Sequence, residues 1–131
     1  MGGLLTLARR EAEAAEILES ARGEALAGGG ECLGWLLLHL GTARQYLGRP
    51  DDALALFDEA LELARASGLR ALESYVLHHA GRLYVELDQV ELARAAFKAA
   101  LALREALDDP RAASSQRALE MLDRGDWRCA T

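Results

Sequence analysis

The chain has 131 residues, of which 51% are hydrophobic and only 5% aromatic, and it carries a formal charge of −6 at pH 7. Its 15 basic residues are scattered among 21 acidic ones, so we expect no nucleic-acid partner, because such proteins need clustered cations to displace counterions from phosphate. No run approaches the roughly 20 apolar residues that span a bilayer, and the two cysteines are far apart in sequence. We therefore expect a cytoplasmic protein without a membrane partner.

Six helices are predicted from the hydrophobic periodicity. The first, about residues 4 to 26, is rich in alanine and glutamate and ends at the three glycines 28 to 30. The second, about 31 to 47, is heavily apolar from Leu33 to Leu40, so it must be covered on more than one face. The third, 53 to 66, follows a turn that contains a glycine and a proline.

The fourth and fifth helices, about 71 to 87 and 90 to 107, are separated by a turn at Asp88 and Gln89. Asp108 and the residues after it lead into a sixth helix that ends near Arg124. All these connections are short, which favours antiparallel packing of consecutive helices.

The sequence repeats itself with a period of 40 residues, as in 81 − 41 = 40. Glycine within a helix costs on the order of 1 kcal/mol relative to alanine, so a repeated glycine indicates close approach of a neighbouring helix. A period in this range is typical of stacked helical units that form a binding surface. The repeated pairs are Gly41 and Gly81, Leu47 and Leu87, Ala53 and Ala93, Phe57 and Phe97, and Ala60 and Ala100.

This pattern of glycine, alanine and phenylalanine resembles the tetratricopeptide repeat, in the extended variant of about 40 residues found in kinesin light chains and spindle-orientation adaptors. The resemblance implies an all-α fold, a right-handed α-solenoid of antiparallel helix pairs with about six helices. We expect an N-terminal helix at 1–27 that forms a degenerate half repeat, repeats at 31–68 and 71–108, a capping helix at 110–124 and a tail at 125–131.

In this family the first helix of each pair lines a concave groove that binds a peptide or helix of a partner protein. Aromatic side chains beside an arginine and histidines suit a segment with an apolar residue and a carboxylate. For Trp35 and Tyr75, core packing between helices is an equally good interpretation. The resemblance implies these partner-binding residues: Trp35, Leu38, Thr42, Gln45, Tyr46, Tyr75, His78, Arg82, Val85 and Glu86, with His39 and His79 beside them.

We predict no enzymatic activity, no cofactor and no metal site. Catalytic motifs and phosphate-binding glycine loops are missing, and the adjacent His78 and His79 point about 100° apart on a helix, which makes a shared metal ion difficult. Cys32 is predicted to be a small buried residue at a helix start. The predicted function is therefore a protein-interaction module. Two alternatives stay open: self-association as a homo-oligomer, including domain exchange through residues 28 to 30, and a peptide- or ligand-sensing segment of a larger regulator of bacterial type.

Overall fold

The computed structural model describes residues 31–125. They form five helices and no strand, so the predicted all-α class is confirmed for this part of the chain. The predicted helix at 4–26 and the tail after residue 125 lie outside the described residues. The helices are α1 (Glu31–Tyr46), α2 (Pro50–Ala66), α3 (Arg70–Glu86), α4 (Val90–Ala106) and α5 (Ala112–Arg124).

The chain divides into two compact units, with the boundary between Leu69 and Arg70. The described part of unit 1 is the pair of helices α1 and α2. In unit 2, α3 packs against α4, and α4 packs against α5. Each pair is joined by a short turn and is therefore antiparallel, as the solenoid prediction requires. None of the described helices is long and apolar enough to cross a membrane.

The same turn ends each of the first four helices. After α1, the N–H of Arg49 donates to the carbonyl of Arg44 at 2.9 Å, and the N–H of Gly48 donates to the carbonyl of Gln45 at 3.1 Å. This is the Schellman arrangement, which needs a residue with positive φ just past the helix. That position is held by Gly48 (φ 75°), Gly68 (φ 68°), Asp88 (φ 59°) and Asp108 (φ 52°).

The core of unit 1 is built around a helical glycine. A Cβ placed on Gly41 would lie only 2.7 Å from Cε1 of Phe57, so the ring rests directly on the backbone of α1. Ala53 and Ala60, on either side of Phe57 in α2, are completely buried. The prediction that the glycine permits close approach is confirmed, and the approaching group is a phenyl ring.

Unit 2 repeats this contact and adds a third helix. A Cβ on Gly81 would lie 2.7 Å from Cε1 of Phe97. Phe97 also belongs to a cluster with Val85, Leu119 and Leu122, which brings apolar residues of α5 onto the helix pair. The phenyl ring thus contributes both to the packing of α3 against α4 and to the docking of α5.

Three details differ from the sequence predictions. Pro50 is the first residue of α2, so this helix starts three residues earlier than predicted, because proline suits a first turn where its missing N–H has no partner to lose. The last helix starts at Ala112 and not at 110. Cys32 is exposed, so its predicted burial is wrong, because the first turn of α1 presents it to solvent.

Candidate functional site

A cleft of about 360 Å³ opens on the surface of unit 2. Side chains from α3 form one wall, side chains from α5 form the other, and Phe97 of α4 lies at the base. The residues that line it, called the cleft from here on, are His78, Arg82, Val85, Glu86, Phe97, Ser114, Arg117, Ala118, Met121 and Leu122.

The base of the cleft is apolar and its edges carry charge. Phe97, Leu122 and Val85 are buried in the core, whereas Arg82 and Arg117 are exposed. Neither of these two arginines forms an ion pair with any residue between 31 and 125. With Glu86 on the same rim, the three charges sum to 2 − 1 = +1, in a chain whose total is −6. The rim of the cleft therefore carries net positive charge, although the whole chain is acidic.

A polar cluster joins all three helices of unit 2 and consists of His78, which lines the cleft, and the buried Arg104 and Ser115. Ser115 is 0% exposed and Arg104 is 2% exposed. The Ser115 hydroxyl oxygen lies 3.0 Å from Nη1 of Arg104 and 3.1 Å from Nδ1 of His78. Burial of the Ser115 hydroxyl and of Nη1 of Arg104 is tolerable because these atoms form hydrogen bonds, whereas Nε of Arg104 is buried without a hydrogen-bond partner among the described residues.

The environment of His78 disfavours its charged form. Burial is the main reason that its pKa falls from 6.5 to about 4, and the positive charges of Arg104, His79 and Arg82 act in the same direction. The imidazole also lies edge-on to Phe97, with 5.1 Å between ring centroids. His78 is thus a neutral side chain at physiological pH that hydrogen-bonds to Ser115 and packs against Phe97.

Two guanidinium groups hold Tyr75. The central carbons of Arg104 and Arg111 lie 5.2 and 5.1 Å from the centre of its ring, within the range of cation–π attraction. Burial lowers the pKa of Arg104. Asp109 accepts the N–H of Arg111 at 2.9 Å, which is the first cause of its lowered pKa. Tyr75 therefore packs against Arg104 of α4 and Arg111 of the turn before α5, and it does not line the cleft.

Four predicted site residues do line the cleft: His78, Arg82, Val85 and Glu86. Their spacing along α3 places them on one face of that helix. The other five predicted residues, all on α1, belong to unit 1: Trp35, Leu38, Thr42, Gln45 and Tyr46.

Among these α1 residues, Leu38 contradicts the prediction of a partner-binding side chain. It is only 2% exposed and is part of the core, because the apolar run of this helix is covered on more than one face. The Thr42 hydroxyl donates to the Leu38 carbonyl at 2.9 Å. Tyr46 is 69% exposed, and the ring of Trp35 lies 6.5 Å from that of His39.

Sequence reasoning missed the wall that α5 contributes. The last helix is predicted to be a cap, yet its polar and apolar positions both face the cleft. The available signal was its amphipathic spacing, with Arg117 and Met121 one turn apart. The missed lining residues are Phe97, Ser114, Arg117, Ala118, Met121 and Leu122. Within residues 31–125, no group of three or more histidine, cysteine or acidic side chains is arranged to hold a metal ion.

Comparison with known families gives one match. The profile described as "Tetratricopeptide repeat" matches residues 32–106, which is more than half of the 131 residues. No curated protein and no solved structure shows significant similarity to the chain.

Proposed function

The chain belongs to the tetratricopeptide repeat family, and we propose that it is a protein-interaction module whose cleft on unit 2 binds a segment of a partner protein. Tetratricopeptide repeats are generally protein–protein interaction modules, and the repeat is a non-catalytic scaffold. The family leaves the partner open, because one scaffold serves many partners. The site itself must therefore indicate what is bound.

The observation that carries the proposal is the pairing of an apolar base with two exposed arginines that have no ionic partner among the described residues. Arginine is enriched at the energetic centres of protein interfaces, and it binds carboxylates in a bidentate geometry. A cleft of about 360 Å³ is large enough for one or two side chains of a bound segment. We infer a peptide or helix that inserts an apolar side chain and brings negative charge to the rim.

Selection from a peptide library tests this proposal, because the cleft itself then chooses the segments that fit it. Random peptides displayed on phage are selected on the full chain, and the enriched sequences are expected to combine apolar and acidic residues. The variant Arg82→Glu with Arg117→Glu should bind the selected peptides at least about tenfold more weakly, because each lost charged hydrogen bond is worth roughly 1.5–3 kcal/mol. Fluorescence anisotropy measures the affinity.

Arg70→Glu is the matched control. Arg70 is an exposed helical arginine of unit 2 that lies outside the cleft lining. This control should bind like the wild type, and both variants should keep its circular dichroism spectrum and melting temperature, since exposed substitutions change stability little. Equal affinity of all three proteins would contradict the cleft assignment. Concentration-dependent light scattering that changes with the cleft variant would instead favour self-association.

We also propose that the repeat is the extended variant of about 40 residues, with units at 31–68 and 71–108. Support comes from the glycine contacts: Gly41 and Gly81 each face a phenylalanine 16 residues later, and an added Cβ would lie the same 2.7 Å from either ring (57 − 41 = 16; 97 − 81 = 16). The turns support it as well, since Gly48 and Asp88 both have positive φ.

A further inference from the structure

The hydrogen bonds around Ser115 decide which nitrogen of His78 carries a proton. A guanidinium can only donate, so the serine oxygen accepts from Arg104. Ser115 is 0% exposed, and Nδ1 of His78 is the sole acceptor for its hydroxyl proton within residues 31–125. The hydroxyl therefore donates to Nδ1, and the neutral imidazole carries its own proton on Nε2.

This Nε2–H group is available to a ligand. His78 lines the cleft, and its Nε2 forms no hydrogen bond with any residue of the described part of the chain. Protonation of Nδ1 would break the bond from Ser115 and would place a cation near Arg104, Arg82 and His79. The ring is thus fixed both in orientation and in tautomer, which keeps one donor in the wall of the cleft.

We propose that His78 is a fixed hydrogen-bond donor of the cleft and that, together with Arg82 and Arg117, it selects a partner segment with a carboxylate. The proposal rests on the proposed function and names the chemistry of its ligand. Ser115 and Arg104 are positioning residues, because they act on the ligand only through His78.

Charge and hydrogen-bond capacity favour a carboxylate. An ionised carboxylate offers about four acceptor sites, which matches two guanidinium groups and one N–H. A side-chain amide would direct its own two donors at groups that only donate. Because the two arginines and Glu86 leave one net positive charge, the cleft also suits a monoanion better than a phosphate dianion.

The tautomer is measured first, on the full chain labelled with ¹⁵N. Correlation spectra of the imidazole nitrogens at pH 7 are expected to show His78 protonated on Nε2 and unprotonated on Nδ1. The chain contains three histidines, so His39 and His79 provide internal references. A His78 proton on Nδ1 would overturn the proposal and would leave the proposed function untouched.

Two small probes then test carboxylate selection: N-acetyl-leucine, which has an apolar side chain and a carboxylate, and N-acetyl-leucinamide, which lacks the charge. The acid should shift the His78 resonances and bind at least about tenfold more tightly than the amide. Equal binding of both probes, or binding of neither, would overturn the carboxylate assignment. Enrichment of peptides without acidic residues in the phage selection would also overturn the carboxylate assignment, and it would leave the proposed function intact.

Two substitutions separate the donor role from packing. His78→Gln places an amide near the former Nε2 and should keep most of the acid affinity. His78→Asn places its amide near the former Nδ1, facing Ser115, and should bind the acid about tenfold more weakly. Equal loss in both variants would reduce His78 to a packing residue and would overturn the proposal. If no library peptide binds the chain and neither probe does, the proposed function fails together with the inference.

Discussion

Gly41 in α1 and Gly81 in α3 each lie against a phenylalanine ring of the following helix, at a distance where an added Cβ would be 2.7 Å from the ring. The flanking turns are also the same, with a residue of positive φ after each helix. The first helix pair of unit 2 therefore repeats the core of unit 1 almost contact for contact.

The two pairs differ where side chains leave the core. Forty residues separate Leu38 from His78 and Thr42 from Arg82, so these are equivalent positions (78 − 38 = 40; 82 − 42 = 40). Leu38 is buried, and Thr42 donates to its own helix, whereas His78 and Arg82 line the cleft. The glycine and phenylalanine positions are restricted by packing, whereas positions 38 and 78, and 42 and 82, differ between the units in both burial and chemistry. The repeat thus defines the scaffold, and its differences between units define the site.

The largest expected effect comes from filling the glycine positions. Gly41→Leu and Gly81→Leu should each destabilise the protein by about 3 kcal/mol or more, because the new side chain must displace a buried phenyl ring. Urea denaturation followed by circular dichroism measures the free energy of unfolding. Because an added Cβ would lie at the same distance from the ring at both positions, the two losses should also be similar.

A smaller substitution checks the origin of that loss. Gly41→Ala and Gly81→Ala gain about 1 kcal/mol in helix propensity, yet the Cβ clash should make both destabilising overall. Combining Gly81→Ala with Phe97→Leu should cost less than the sum of the two single changes. Strict additivity would contradict direct contact between the methyl group and the ring.

The next effect is a pH dependence that unit 2 provides through His78. Its folded pKa of about 4 lies below the unfolded value of 6.5, so the unfolded chain binds more protons between these values. The stability contribution is therefore complete above about pH 6.5 and declines as the pH falls towards 4. Allowing for the partial exposure of the ring, we expect a loss of about 1–2 kcal/mol, measured by urea denaturation at several pH values.

Replacing His78 with the residue found in unit 1 isolates this effect. His78→Leu should flatten the dependence between pH 6.5 and 4, whatever it does to stability at pH 7. His39→Gln, at an exposed histidine of unit 1, should retain the wild-type slope. The carboxyl of Asp109 does not affect the slope in this range, because its pKa is lowered from 3.8 and its contribution to stability is lost only at lower pH. A wild-type slope in His78→Leu would show that another group titrates in this range.

Substitutions in the turns should change the free energy of unfolding by about 1 kcal/mol, upwards where aspartate is replaced and downwards where glycine is replaced. Asp88 and Asp108 adopt the left-handed conformation that glycine holds at Gly48 and Gly68. Asp88→Gly and Asp108→Gly should stabilise by up to about 1 kcal/mol, and Gly48→Ala should destabilise by a similar amount. Calorimetric melting temperatures measure both. A lower melting temperature for the aspartate variants would indicate that these side chains stabilise their turns.

The sequence predicted the scaffold better than the site, for a physical reason. A packing contact such as that of Gly81 with Phe97 restricts residue type, so its repetition is visible in the chain. The polar cluster has no such signature, since His78, Arg104 and Ser115 come from three helices and any of them is common on a helix surface. The α3 half of the cleft followed from the repeat, but the α5 half did not, because a terminal helix is usually expected to be a polar cap.

The smallest expected effects come from removing one ion pair in each unit. In unit 1, Arg44 binds Asp52 at 3.3 Å, and in unit 2, Arg94 binds Asp123. Both pairs are partly exposed, and such pairs contribute about 0–1 kcal/mol. Asp52 lies in the first turn of α2, where the helix dipole favours an anion, whereas Asp123 lies in the last turn of α5, where it does not. Asp52→Asn should therefore cost about 0.5 kcal/mol and Asp123→Asn close to nothing. Urea denaturation at low and high salt measures both, and a larger loss at Asp123 would mean that its bond to Arg94 secures α5 more firmly than the apolar contacts suggest.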